Sequence, residues 1–281
     1  MNKVIFLVIH LASLLAIWTG FSFTALCVCA AMYIVRMFAI TAGYHRYFSH
    51  RSYKTSRIFQ FILALLGASA AQKGPLWWAA SHRHHHKYSD TEQDLHSPGL
   101  KGLWWAHMGW VLSKEADEAD LTLVRDLKAY PELCLLEEYH YVPALLIIPV
   151  NYLLGVFLSS YYPSLETTPF QIMVWGAFVS TVILYHGTFA INSLAHVIGK
   201  RRFQTNDESK NSFLLAIITL GEGWHNNHHR YPGSERQGFY WWELDISHYI
   251  LKLLAVFGIV WDLRTPPQRI YDEALRKPSG N

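Results

Sequence analysis

Ile34-Val-Arg-Met-Phe-Ala-Ile-Thr-Ala-Gly-Tyr-His45-Arg-Tyr-Phe-Ser-His50 is the stretch that decides the fold: an apolar run opening at Phe23 closes here on two histidines. A run of this length suits a membrane helix, which needs about 20 apolar residues. Three further clusters also follow apolar stretches: His82-Arg-His-His-His86, Asn192-Ser-Leu-Ala-His196 and His225-Asn-Asn-His-His229. Imidazole suits iron, copper, nickel and zinc, and nine such ligands exceed the needs of one ion. A single cluster of this kind arises by chance or as a metal-sticky patch. Four at matching places point to two metals held by nitrogen at the edge of a bilayer.

Composition agrees with a membrane setting. Of 281 residues, 51% are hydrophobic and 16% charged, well below the roughly 25% charge of an average soluble domain. Tryptophan and tyrosine are abundant, as at membrane interfaces. The net charge of +3 comes with no basic array carrying interleaved stacking residues, which argues against nucleic acid. Cys27, Cys29 and Cys134 form no CxxC, so neither a disulfide framework nor an iron–sulfur ligand set is indicated. Electrons for any redox step must come from another protein.

Four spans are expected, at residues 4–18, 23–41, 142–161 and 170–191. The first is short, carries His10, and reads as an uncleaved anchor although its start faintly resembles a signal peptide. Arg46, Arg51, Lys54 and Arg57 follow the second span; Lys200, Arg201 and Arg202 follow the fourth. The turns near Gly20 and across Tyr162–Pro169 lack Lys and Arg. The positive-inside rule then places both termini and every histidine cluster in the cytoplasm. The expected fold is an all-α integral membrane protein: four transmembrane helices in two hairpins, with a cytoplasmic helical cap (residues 42–141 and 192–281) in one domain. Apolar stretches at 58–71, 213–220 and 250–260 are too short to cross and read as re-entrant, interfacial or cap helices. Were 58–71 to cross, His45 and His82 would lie on opposite faces. The acidic cluster Glu115, Asp117, Glu118 and Asp120 reads as solvated surface, and the last residues, through Gly280, as a loose end.

Spacing sorts the histidines. His82, His85 and His86 are related by i, i+3, i+4 and share a helix face; His84 points elsewhere. His225, His228 and His229 repeat the pattern, and Asn192 aligns with His196. His45 and His50 are five apart, which fits a helix ending between them. His10 and His186 read as buried, hydrogen-bonded residues. His96, His107, His140 and His248 read as surface groups or as neighbours of the ligands. A ligating imidazole usually gives its other N–H to a carboxylate or carbonyl; Asp90, Glu92, Asp94 and Glu222 are near enough in sequence to serve. HExxH is absent, which argues against a zincin protease.

Together these motifs resemble the membrane fatty acid desaturases, specifically the acyl-CoA delta-9 (stearoyl-CoA) group. The text that carries the resemblance runs from Thr41-Ala-Gly-Tyr-His45 through Lys54, then His82–His86, Asp94-Leu-His-Ser97, His107-Met-Gly-Trp110, Asn192–His196 and Gly221-Glu-Gly-Trp-His225 through His229. It covers about residues 30 to 245. The resemblance implies nine metal-ligating histidines: His45, His50, His82, His85, His86, His196, His225, His228 and His229. Asn192 would reach one metal through water. It implies two irons, O2 and two external electrons that together remove two hydrogens from adjacent acyl carbons. No His-Pro-Gly-Gly signature of a fused cytochrome b5 is present, so a ferredoxin, or a separate cytochrome b5 with its reductase, is expected as donor. The short ends look bacterial, with an inner-membrane location.

In the resembling enzymes the acyl tail enters a bent tunnel between the spans. Tyr33 and Met37, one turn apart ahead of the first box, are candidates for its closed end; ordinary helix packing is the alternative. Arg36 beside them either snorkels or faces the interior. Lys73, Arg83 and Lys87 suit a phosphate headgroup or a solvated surface. The competing function is a related diiron monooxygenase that hydroxylates a lipid or alkane. A metal transporter fits less well, because transport sites lie near the bilayer midplane.

Overall fold

The computed structural model describes residues 3–275; the loose end expected at Gly280 lies outside them. An apolar segment, Lys3–Thr19 (α1), leads the chain, turns once at Leu14, and falls short of spanning length. Phe23–Ser49 (α2) follows, capped by Ser22 Oγ, which accepts the Ala25 N–H at 3.1 Å. Arg57–Ala68 (α3) and Pro75–Tyr88 (α4) come next, then Tyr141–Tyr161 (α5) and Pro169–His196 (α6). The short helices Phe213–Ile218 (α7) and His225–Arg230 (α8) precede Ile246–Val256 (α9). Among the described residues, α2, α5 and α6 are the helices long and apolar enough to cross a membrane.

At two ends the helices run on beyond the expected spans. The helix that carries the span expected at 23–41 continues to Ser49, because Ala39–Ser49 winds on as a π-helix whose side chains, Tyr47 apart, are buried. The last span, expected at 170–191, runs on to His196 through a short 3-10 turn. Both spanning helices therefore carry site residues on their own final turns, His45 on α2 and Asn192 and His196 on α6.

Close approaches set the frame. A side chain on Gly155 would come within 2.5 Å of the Pro169 backbone, so α5 and α6 pack as an antiparallel hairpin. Arg36 of α2 is 1% exposed and faces inward, donating to Thr181 Oγ1 of α6 at 2.7 Å. α1 lies on α6 through Phe6, whose ring stacks on Tyr185 at 5.7 Å. Outward faces of α1, α2 and α5 keep large apolar side chains exposed, such as Ile17, Phe23 and Leu153, the surface a bilayer covers.

Beneath these helices α3, α4 and α9 gather around a core that includes Tyr44, Phe48, Leu63, Leu76 and Leu251, while α7 packs on the end of α6 through Leu215, Ala190 and Ala195. α4 begins at Gly74-Pro75, where no side chain of its own caps it. Glu137 supplies the cap from outside, its Oε2 accepting the N–H groups of Leu76 and Trp77 at 2.9 and 3.1 Å. A two-residue ladder, Lys54–Thr55 against Val260–Trp261, ties the chain after the first box to its distal end. Glu115, Asp117, Glu118 and Asp120 are exposed, as the sequence suggests.

Candidate metal centre

His45 sits on the π-wound end of α2, and His50 is the residue that caps it. The backbone N–H of His50 donates to the His45 carbonyl at 3.2 Å, an i to i+5 bond, and the two rings lie 4.9 Å apart between centroids. The helix ends between them, at Ser49, as the spacing suggests. π-winding of its last turns brings residues five apart to one side, and such turns are frequent at functional sites. α4 supplies His82, His85 and His86 from one face. His84 is on the other, its Nε2 on the Gln93 carbonyl at 3.1 Å. α8 supplies His225, His228 and His229.

These side chains converge in two groups. His45, His50, His82, His86 and His228 bring one ring nitrogen each within 4.8 Å of one another; His85, His196, His225 and His229 do the same. In the first group Nε2 meets Nε2 at 2.8 Å (His50–His82) and at 2.9 Å (His82–His86, His86–His228 and His45–His228). A ring nitrogen has one proton or one in-plane lone pair. His82, His86 and His228 each face two partners and cannot hydrogen-bond to both. Ligands at right angles on metal–nitrogen bonds of about 2.1 Å have edges of about 3.0 Å. The observed edges, with His196–His225 at 3.1 Å, fit a metal. The buried Nε2 of His229 has no protein partner.

Carboxylates fix the tautomers. His45 Nδ1 faces Glu222, His85 faces Asp94, His196 faces Asp90 and His229 faces Asp207. With the Nδ1 proton donated outward, each Nε2 lone pair is free for an ion. Glu92, expected from its place in the sequence, is exposed, while Asp207, 22 residues ahead of its imidazole, supplies a contact that no local pattern signals. Burial pushes His50, His82, His86, His225 and His228 well below the usual imidazole pKa, with neighbouring imidazoles adding to it. Burial likewise takes His229 down to about 4, against the pull of Asp207. Burial alone would push Asp90, Asp94 and Asp207 up. Hydrogen bonds and adjacent imidazoles outweigh it and hold all three well below the usual carboxylate range. At neutral pH these six imidazoles are therefore neutral, and ring nitrogens backed by carboxylates are the donor set a metal cation requires.

Two adjoining cavities share Trp78, His82, His85, Thr188 and Asn192. The outer one reaches Lys73, Trp77 and Trp110. The inner one reaches Met37, Ile40 and Thr41 on α2. Tyr33 stands one turn behind Met37 with its hydroxyl on the Ile218 carbonyl at 2.6 Å, and both side chains abut Gly187 of α6. Of the cations considered for a headgroup, Arg83 is occupied: it pairs with Asp126 and donates to the carbonyls of Phe48, Ser49 and Leu123. Lys73 pairs with Asp117 and lies over the Trp77 ring. His186 links His10 at 3.4 Å to His107 at 3.0 Å, and His248 rests on Glu235.

An apolar helical frame with two imidazole groups at its helix ends defines a membrane protein suited to holding metal on nitrogen. The chain matches the family described as fatty acid desaturase over residues 18–258, and it belongs to that family. It is 35% identical to the sn-1 stearoyl-lipid 9-desaturase of Anabaena variabilis, over 94% of this chain and 93% of that one. Identity is 36% to the sn-1 stearoyl-lipid 9-desaturase of Synechocystis sp. (92% and 78% covered). It is 38% to the acyl-CoA C20 delta5-desaturase of Anemone leveillei (88% and 76%). The protein is an oxidoreductase that desaturates fatty acyl chains.

Proposed function

We propose that this desaturase inserts a cis double bond, delta-9, into a saturated acyl chain carried by CoA or by a lipid. The observation that carries the reading is the convergence of nine imidazoles in two groups beside two adjoining cavities. In this reading His45, His50, His82, His86 and His228 hold one iron. His85, His196, His225 and His229 hold the other, with Asn192 acting through water. The bound irons supply the activation of O2 needed to break an unactivated C–H bond, which no side-chain acid or base can do. The balance is two hydrogens from adjacent methylenes, two electrons and two protons, which convert O2 to two waters. Ferredoxin, or cytochrome b5 with its reductase, brings the electrons.

The chain's own residues orient and exclude. Glu222, Asp94, Asp90 and Asp207 hold their imidazoles with Nε2 toward the ions. Trp78 and Thr188 line both cavities and pass the acyl chain between them, Gln72 bracing Thr188 through a hydrogen bond of 3.0 Å. Met37, with Tyr33 behind it, closes the inner end, so the methylene pair presented to the metals is counted from that stop. We further infer that the chain is one domain in which α1, close to the lower length limit for a crossing, is a fourth span, with both termini and the site cytoplasmic, in a bacterial inner membrane. Positive charge after α2 and α6 supports this orientation.

Expression in a host lacking its own desaturase, with mass spectrometry of total fatty acids and double-bond localisation, tests the reading. A new delta-9 monoene that is lost in His228→Ala is expected. A hydroxylated product would replace desaturation with the monooxygenase reading, which the family relationship does not favour.

A further inference from the structure

The carboxylates behind the imidazoles are unevenly divided. In the four-imidazole group three of four Nδ1 atoms face an aspartate: His196 on Asp90 at 2.8 Å, His229 on Asp207 at 2.8 Å and His85 on Asp94 at 3.2 Å. In the five-imidazole group only His45 faces a carboxylate, Glu222, among the described residues. That one is answered by a cation. The Arg46 guanidinium, 1% exposed, lies 3.0 Å from Glu222 and 3.0 Å from Asp245.

No lysine or arginine forms an ion pair with Asp90, Asp94 or Asp207 among the described residues. Their other partners are uncharged. Asp90 accepts from the Glu208 N–H and Ser97 Oγ. Asp94 accepts from the N–H groups of Asp90 and His96, with the His96 ring 3.7 Å away. Asp207 accepts from the Ser209 N–H and Thr205 Oγ1. These aspartate side chains are at most 10% exposed, so water screens them poorly.

An anion hydrogen-bonded to a ligating imidazole raises that ligand's basicity. Nearby negative charge in a weakly screened site favours the more highly charged metal ion. We propose that the two metal positions are electrostatically unequal: the ion held by His85, His196, His225 and His229 oxidises first, and Asp90, Asp94 and Asp207 set its potential through their imidazoles. The inference rests on the two-iron reading above. The aspartates are positioning residues, since they touch ligands and not substrate. The five-imidazole ion, with its single carboxylate shared by Arg46, stays ferrous to higher potential.

The test uses the full-length enzyme in detergent micelles, loaded with isotopically enriched iron and poised through a redox titration. Mössbauer spectroscopy counts ferrous and ferric iron at each poise without turnover. Two one-electron steps with a mixed-valent sample between them are expected. Asp207→Asn keeps an oxygen acceptor and removes the charge. It should raise the lower midpoint alone, changing the ferric-to-ferrous ratio of that ion about tenfold at fixed poise, or about 59 mV for a one-electron couple. Asp90→Asn, behind a different ligand of the same ion, should repeat the effect and stands in if Asp207→Asn fails to fold. Glu222→Gln should act on the upper midpoint. A single step in which both irons oxidise together, or an Asp207→Asn or Asp90→Asn shift of the upper midpoint, overturns the inference while leaving two irons in place. A folded preparation that holds fewer than two irons overturns the two-iron reading itself.

Discussion

Gly187 sits where Met37 Cε and Tyr33 Oη converge: an added Cβ would lie 3.0 Å from the first and 2.9 Å from the second. That contact makes acyl-chain length testable in both directions. Met37→Ala opens the inner cavity and should move the product profile toward longer chains. Gly187→Ala pushes the flexible Met37 terminus into the same space and should move it toward shorter ones, both read by mass spectrometry of total fatty acids. An unchanged profile in both would return these residues to ordinary packing. The imidazoles separate as cleanly. His84 turns to the Gln93 carbonyl, away from both groups, so His84→Ala should retain the iron of the parent protein. His228 lies 2.9 Å from two other ring nitrogens, so His228→Ala should lose iron by elemental analysis.

α2 and α4 each carry part of the five-imidazole group, and Arg83 ties them. It sits among the ligands in sequence, yet its guanidinium points the other way, onto the last carbonyls of the π-wound segment at Phe48 and Ser49 and onto Asp126. Removing it releases the end of α2 from α4. Arg83→Ala should cost about 2 kcal/mol and weaken iron retention against a chelator. Lys at this position cannot form the same fork and should not restore it. Gly67 governs another contact, between α3 and α2. A Cβ there would meet the Tyr44 ring at 2.2 Å, and that ring, next to His45, is fully buried. Gly67→Ala should destabilise the protein by about 1–3 kcal/mol, visible as a lower Tm in detergent.

Across the whole molecule the two imidazole groups join α2, α4, α6 and α8, elements scattered over most of the chain. Metal bound there stabilises the folded state alone, by about 2.7 kcal/mol per site when free metal exceeds its Kd a hundredfold. Chelation should therefore lower Tm, and iron restored to the same sample should recover it. Orientation is testable at the same scale. In a cysteine-free background, a single cysteine at exposed Ser164, between α5 and α6, should react with an impermeant thiol reagent from outside intact cells. One at exposed Glu115 should react only after lysis. The reverse pattern would invert the topology.

The sequence alone determined the class: apolar runs of spanning length, histidines at i, i+3, i+4, and basic residues after two of the runs are local patterns. These three facts need no partner to be read. What tertiary structure decided lies beyond that range. Nothing local marks the π-winding that aligns His45 with His50, since the i to i+5 ladder is held by burial against α3 and α4. Asp207 was invisible because its imidazole is 22 residues away, and the chain between, through α7, folds back to reach it. Nor does spacing say which histidines share an ion: His85 and His86 are neighbours in the chain and fall in different groups. Adjacent residues on a helix point about 100° apart, so one turn of α4 faces two metal positions at once, and only the packing of α2, α6 and α8 around it assigns each ring to its place.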